Sequence, residues 1–109
     1  MVEIKIYVVT TDLKHNYEFD VVNKLKIELI SKFGGLTVIK NAEGLWLDAD
    51  KNIIVDTTDI WQIVTTDYNA NYLWEINEKL RRVCKQTAQL FTVDGHPFFV
   101  DKPLTYLKY

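Results

Sequence analysis

The sequence predicts an α+β domain in which two helices cover one face of an antiparallel sheet, a ferredoxin-like β-α-β-β-α-β sandwich with extra β-hairpin strands. Three observations predict this class. Apolar residues alternate with polar ones at the start of the chain, two segments repeat their apolar residues with the helical period, and β-branched or aromatic runs lie between and after those segments. One domain is expected over residues 1–109, with 101–109 as a C-terminal tail.

The first strand and the first helix open the predicted unit. The alternating apolar residues of the strand are Val2, Ile4, Ile6 and Val8. This period of two buries one face and places Tyr7 on the opposite, outward face. A polar connection at 12–17 leads to a helix over about 19–33, and Gly34-Gly35 ends that helix because glycine adopts the left-handed cap conformation without steric cost.

The middle of the chain is predicted to consist of short β segments. Residues 36–40 and 45–48 are expected to form two strands joined by a tight turn at 41–44. A polar turn at 48–52 leads to a strand at 53–55, and residues 56–58 are expected to break the pattern before a longer strand at 59–66.

A second helix and a final hairpin complete the unit. The helix is predicted over residues 71–86, and the residues that share its apolar face are Leu73, Ile76, Leu80, Val83 and Cys84. Trp74 points about 100° away from that face, as the helical period requires. Asp94-Gly95 lies between two apolar runs, which is a strong signal for a hairpin.

Composition and charge argue against several classes of function. With 13 basic and 15 acidic residues the formal net charge is −2, which does not favour binding to a nucleic acid polymer. Cys84 is the only cysteine, so an intramolecular disulfide is excluded. The sequence lacks an apolar run of about 18 residues and a signal-peptide pattern, so a cytoplasmic location without membrane contact is expected.

Metal-binding and catalytic residues are not predicted. The segment 48–52 has the first ligand spacings of a calcium loop, but Ile53 stands where that loop needs glycine, so a hairpin turn is expected instead. His15 and His96 lack partners at metal-ligand spacing, and no cofactor is expected. If the protein is an enzyme, the best acid–base candidates are Asp12, His15 and His96.

Exposed aromatic and basic residues are the candidate ligand-binding site. They are Tyr7, Trp46, Trp74, Arg81 and Arg82. Tyrosine and tryptophan exposed on a sheet face or helix flank suit a flat ligand or a subunit interface. Two alternatives stay open: Trp46 and Trp61 would cover the edge of the core, and the basic residues of 79–85 would form a solvated helix face.

Three short motifs resemble those of a known family. They are Gly35-x-Thr37, Gly44-x-Trp46 and Gln86-Thr87-Ala88-Gln89-Leu90. The pattern is similar to that of an uncharacterised family of short bacterial and phage ferredoxin-like proteins, with motifs Gly-x-Thr, Gly-x-Trp and, after a helix, Gln-x-x-Val. The resemblance implies a ferredoxin-like fold with no established chemistry. The chain departs from the pattern in its longer middle turn and in the Asn- and Tyr-rich entry to the second helix.

The sequence therefore favours a non-enzymatic small ligand-binding or protein-interaction domain that acts as a homo-oligomer, with a dimer as the expected form. One alternative is a phage counter-defence protein that sequesters a small nucleotide signal or inhibits a host nuclease. A second alternative is a small metal-dependent nuclease or another enzyme. A small anionic or nucleotide ligand and a host protein are the candidate partners.

Overall fold

A five-stranded antiparallel sheet and two helices make up the described part of the chain, which is residues 1–104 of a computed structural model. The strands are β1 (Val2–Val9), β2 (Thr37–Leu47), β3 (Ile53–Thr65), β4 (Gln89–Val93) and β5 (His96–Val100), and the helices are α1 (Asn16–Phe33) and α2 (Ala70–Val83). The strand order in the sheet is β2-β3-β1-β4-β5. The predicted α+β class, with two helices on an antiparallel sheet, is confirmed. Within residues 1–104, neither helix is long and apolar enough to cross a membrane.

Both helices pack on one face of the sheet, where the core lies. Alternate residues of β1 and β3, including Ile6 and Trp61, pack there against Leu29 of α1 and Leu73 of α2, and all four are fully buried. Trp61 is therefore a core residue and not a cover at its edge. Because side chains alternate along a strand, Tyr7 lies on the opposite face, as predicted. We call this second surface the open face.

β2 and β3 are continuous strands, so two predictions are wrong. The predicted tight turn at 41–44 is a β-bulge, in which the pairing shifts between Ile39 and Ala42 and Asn41 has a φ of 59°. The backbone N–H of Asn41 donates to the Asp59 carboxylate at 3.0 Å. The predicted break at 56–58 is also absent, because these polar residues pair with β2 in the ladder. Pairing between the two strands thus outweighs the turn propensity of these residues. We call the hairpin formed by β2 and β3 the arm.

The predicted turn at 48–52 is confirmed at the tip of this arm. One carboxylate oxygen of Asp48 accepts hydrogen bonds from the backbone N–H groups of Asp50 and Asn52, at 2.9 and 2.8 Å. This is the local bonding by which aspartate stabilises turns. Among residues 1–104, no group of three or more His, Cys, Asp or Glu side chains is arranged to hold a metal ion.

Both helices have boundaries that differ from the predicted ones. α1 begins at Asn16 because Glu18 accepts hydrogen bonds from the backbone N–H groups of Lys14 and His15, at 3.0 and 2.9 Å. These bonds satisfy donors that the first turn leaves free. α2 ends at Val83, since Lys85 turns the chain with a φ of 58°. The C-terminal tail is described only as far as residue 104, so Tyr106 and Tyr109 lie outside the described residues.

An ion pair between Glu18 and Lys85 joins the start of α1 to the end of α2. Lys85 donates to the Glu18 carboxylate and also to the carbonyl oxygen of Asp12 at 3.1 Å. The bond from Lys85, together with the two backbone N–H bonds, lowers the pKa of Glu18 to about 2. The folded state therefore favours the ionised carboxylate more strongly than the unfolded chain does.

This pKa makes stability depend on pH in the acid range. Because the pKa of Glu18 falls from 4.5 to about 2 on folding, its contribution is fully present above pH 4.5 and is lost as the pH falls towards 2. We expect the midpoint of thermal unfolding to fall over this range, and to fall less steeply in Glu18→Gln. Glu75→Gln, at an exposed position on α2, is the control and should follow the wild type. An unchanged slope in Glu18→Gln would contradict the assignment.

Candidate functional site

The open face carries a cavity of about 350 Å³ next to the arm. Its lining comes from all five strands and from the connection between α2 and β4, and the side chains used below are Tyr7, Trp46, Ile54, Asp56, Gln89 and Phe99. Ligand pockets in proteins measure roughly 300–1,000 Å³ and combine an apolar lining with a few polar groups. The cavity fits this description.

A second hollow of about 280 Å³ adjoins the cavity and shares Tyr7, Trp46 and Leu90 with it. Gly44 and Thr58 also line this hollow. We refer to the cavity and the hollow together as the open-face groove. The groove runs along the surface that the two helices leave uncovered.

The bulge at Asn41 places Trp46 over the groove. Val38 pairs with Trp61 and lies on the helix side of the sheet, so strict alternation would put Trp46 on that side as well. The extra residue of the bulge reverses the alternation of side chains between the two faces of the sheet. Trp46, which pairs with Ile54, therefore lies on the open face. Gly44, two residues earlier, lies on the same face as Trp46.

The charge of the cavity is negative. Asp56 is the only charged residue among the described lining residues, and no basic side chain of residues 1–104 forms an ion pair with it. Gln89 is almost fully buried, and its amide N–H group donates to the carbonyl oxygens of Tyr7 and Leu90, at 2.7 and 3.2 Å. Its side-chain oxygen has no partner among the described residues. A cation or hydrogen-bond donor suits the Asp56 carboxylate better than the anionic ligand considered from the sequence.

Of the five predicted site residues, the structure brings together Tyr7 and Trp46. Trp74 lies elsewhere: its indole N–H donates to the carbonyl oxygen of Lys102 at 2.9 Å, and it lines a separate hollow of about 170 Å³ with Phe98 and Leu104. Neither Arg81 nor Arg82 is among the residues that line the groove.

The two arginines of α2, Arg81 and Arg82, are engaged in ion pairs within the chain. Arg81 binds both carboxylate oxygens of the buried Glu78 at 2.7 Å, and Arg82 binds one of them at 3.0 Å. Arg81 is the main cause of a lowered pKa at Glu78. Arg81 and Arg82 therefore balance a buried carboxylate, although Arg82 and Lys79 are themselves exposed, as the solvated face considered from the sequence requires.

None of the acid–base candidates lines the groove. His15 precedes α1 and stacks on Tyr17, and His96 begins β5. Cys84 is fully buried, as predicted, and burial raises the pKa of its thiol to about 12, so a reactive thiolate is disfavoured.

Sequence reasoning missed Asp56, Thr58 and Gln89. The segment 56–58 was interpreted as a break, although the alternation Ile54, Asp56, Thr58 indicates one face of a continuous strand once β3 is taken as unbroken. Gln89 carries no comparable signal, because a glutamine at the start of a strand is ordinary. Its role follows from the pairing of distant strands.

The fold is similar to that of solved structures of a phage SAM lyase. The structure of this lyase in complex with S-methyl-5′-thioadenosine gives a TM-score of 0.63 at 11% identity, covering 93% of this chain and 89% of the lyase. Its structure in the apo state gives 0.59 at the same identity and coverage. No family model and no curated protein matches the chain.

This comparison corrects the function favoured by the sequence. A non-enzymatic ligand-binding or protein-interaction domain was expected, with a counter-defence protein as the main alternative. The solved structures that share this fold belong to an enzyme instead, and that enzyme holds a small nucleoside thioether. The resemblance to the uncharacterised bacterial and phage family stays a prediction.

Proposed function

We propose that this protein is a phage enzyme of the SAM lyase type, which cleaves S-adenosylmethionine in the open-face groove. The observation that carries the proposal is the groove itself, a cavity with aromatic lining residues and the carboxylate of Asp56, which forms no ion pair among residues 1–104. Its substrate would combine a flat base with a cationic sulfonium centre, and both parts match this lining. The shared fold with a lyase that binds S-methyl-5′-thioadenosine supports the same choice. A cytoplasmic location belongs to the proposal, since S-adenosylmethionine is an intracellular metabolite.

The proposed step breaks the bond between the sulfonium sulfur and the γ-carbon of the methionine moiety. The electron pair of that bond stays on sulfur and gives neutral S-methyl-5′-thioadenosine. The carboxylate of the same substrate forms the new bond to the γ-carbon and closes an amino-lactone. Atoms and charges balance without water, an added base or a proton donor.

The groove residues then bind and orient the substrate. Asp56 attracts the cationic substrate, and the aromatic faces of Tyr7 and Trp46 supply cation–π contacts to a sulfonium. Because the sulfonium and the attacking carboxylate lose their charges together, the transition state is less polar than the substrate, and the apolar residues of the lining favour it.

Incubation of the purified protein with S-adenosylmethionine tests this function. We expect S-methyl-5′-thioadenosine and the lactone, or homoserine from its hydrolysis, to accumulate in equal amounts, as measured by liquid chromatography and mass spectrometry. Heat-inactivated protein and the Trp46→Ala variant are the controls, and both should show only the background rate. Intact substrate in the presence of folded wild-type protein would overturn the proposal.

The homo-oligomer expected from the sequence is retained as a prediction, with the arm as its interface. Four apolar residues of the arm alternate with its open-face residues, and each is more than half exposed: Leu45, Leu47, Ile53 and Val55. Leu45 and Leu47 also border the groove. Apolar patches of this kind mark interaction sites. Light scattering during gel filtration should give a multiple of 12.8 kDa, and Ile53→Lys should shift the protein towards the monomer. A monomeric mass at every concentration would contradict this prediction.

A further inference from the structure

We infer that Gly44, Trp46 and Thr58 form a subsite for a ribose hydroxyl group within the open-face groove. This inference rests on the proposed function, because it assigns one end of the groove to the sugar of a nucleoside ligand. We call these three residues the Gly44 cradle. Gly44 is the cross-strand partner of Asp56, so the cradle lies next to the acidic lining that supports the proposed reaction.

The first observation is an unsatisfied hydroxyl at Thr58. Its side chain is 4% exposed and lines the smaller hollow of the groove. Its oxygen has no hydrogen-bond partner among the described residues. Leaving a buried polar group without a partner costs free energy, so such groups in native proteins are normally satisfied by a ligand, by water or by the chain.

The second observation is that a polar atom of Trp46 lies over the same point. A Cβ atom added at Gly44 would lie 3.0 Å from the indole nitrogen of Trp46 and 3.1 Å from the Thr58 hydroxyl oxygen. Both polar atoms therefore approach the Cα atom of Gly44 closely, which is possible only because glycine has no side chain. Any other residue at position 44 would crowd both atoms.

A sugar hydroxyl satisfies both groups with ordinary chemistry. The indole N–H of Trp46 only donates, and the Thr58 hydroxyl both donates and accepts. A ligand hydroxyl oxygen can accept from Trp46 while its hydrogen is donated to Thr58. The neighbouring apolar residues Ile60 and Leu90 would contact the carbon side of the sugar ring.

The cradle also fixes the orientation of the ligand along the groove. Trp46 and Tyr7 belong to both parts of the groove, whereas Thr58 lines only the smaller hollow and Asp56 only the larger cavity. With the ribose at the Gly44 cradle, the base and the sulfonium centre reach the aromatic and acidic part of the groove. The cradle thus selects ribonucleosides over their deoxy analogues.

Calorimetric titration with three neutral probes tests the subsite. The probes are S-methyl-5′-thioadenosine and its 2′-deoxy and 3′-deoxy analogues. We expect removal of one of the two hydroxyl groups to weaken binding to the wild type about tenfold, the size of one good hydrogen bond. In Thr58→Val, which keeps the side-chain shape but removes the hydroxyl, the difference should shrink to about twofold or less.

Two further variants make the result specific, once circular dichroism has shown that they fold. Thr58→Ser retains the hydroxyl and should retain the preference for the ribose. Gly44→Ala fills the cradle and should weaken binding of S-methyl-5′-thioadenosine while reducing the preference. Equal binding of all three probes to the wild type, or a full preference in Thr58→Val, would overturn the subsite.

The outcomes also separate the subsite from the proposed function. Cleavage of S-adenosylmethionine together with an unchanged preference in Thr58→Val would overturn the subsite alone. Binding with the expected preference but without cleavage would support the subsite and overturn the lyase activity. If S-methyl-5′-thioadenosine does not bind to the folded wild type, the subsite is wrong.

Discussion

Replacement of Trp61 by alanine is expected to destabilise the domain by about 3–5 kcal/mol, the range for large-to-small changes of aromatic core residues. Trp61 is fully buried at the centre of β3, and it packs in the core between the sheet and both helices. The change leaves a cavity that neighbouring strands cannot close. Domains of this size are stable by about 5–15 kcal/mol, so the variant would be marginal. Urea unfolding followed by circular dichroism measures the difference.

Trp46→Ala is the matched control for this prediction. Trp46 is 42% exposed and lies on the open face, so the same chemical change removes less buried surface and leaves no enclosed cavity. We expect a smaller loss, of about 1–3 kcal/mol, together with loss of ligand binding. A destabilisation of Trp46→Ala as large as that of Trp61→Ala would show that the open face is part of the structural core.

The second large effect is expected for Asp56→Asn, which should raise the KM for S-adenosylmethionine about tenfold, or about 1.4 kcal/mol, and should raise kcat rather than lower it. The carboxylate attracts a cationic substrate, but the positive charge on sulfur disappears during the reaction. Its attraction is therefore strongest in the ground state and does not accelerate the chemical step. Steady-state kinetics at low ionic strength separates the two constants.

Neutral and charged ligands distinguish this electrostatic role from a structural one. Asp56→Asn should bind neutral S-methyl-5′-thioadenosine as the wild type does, and should lose affinity only for the cationic substrate. Asp50→Asn, in the turn at the tip of the arm, changes the net charge equally at a position outside the described lining of the cavity. It should leave both affinities unchanged. Equal weakening of both ligands in Asp56→Asn would refute the proposed role.

The parts of the fold that depend on local periodicity can be predicted from the sequence. The alternation along β1 and the helical stripes of α1 and α2 arise because one side of each element faces the core. The helix ends are less predictable, since the start of α1 depends on Glu18, which is held by Lys85 from the far end of α2. Such a partner is distant in the sequence and gives no local signal.

The candidate site is only partly visible in the sequence, for the same physical reason. Tyr7 and Trp46 are found as exposed aromatics, and the structure places both on the groove. Asp56 and Thr58 have residue types typical of turns, and only their pairing with β2 and β1 makes them part of a binding surface. The sequence suggests that Arg81 and Arg82 are free to bind a ligand, because a glutamate such as Glu78 is normally expected on the surface. In the structure Glu78 is buried and pairs with both arginines.

The bulge at Asn41 divides β2 into two segments with different structural constraints. The inner segment must match the core through Val38, whereas the outer segment must match a ligand through Gly44 and Trp46. The bulge changes which side chains of β2 face the core, so the two segments need not follow one alternation. A substitution that alters ligand binding in the outer segment therefore does not have to preserve the packing of the inner segment on the core. The outer arm can therefore diversify in evolution while the scaffold stays constant, so related chains with the same core are expected to differ most beyond this residue.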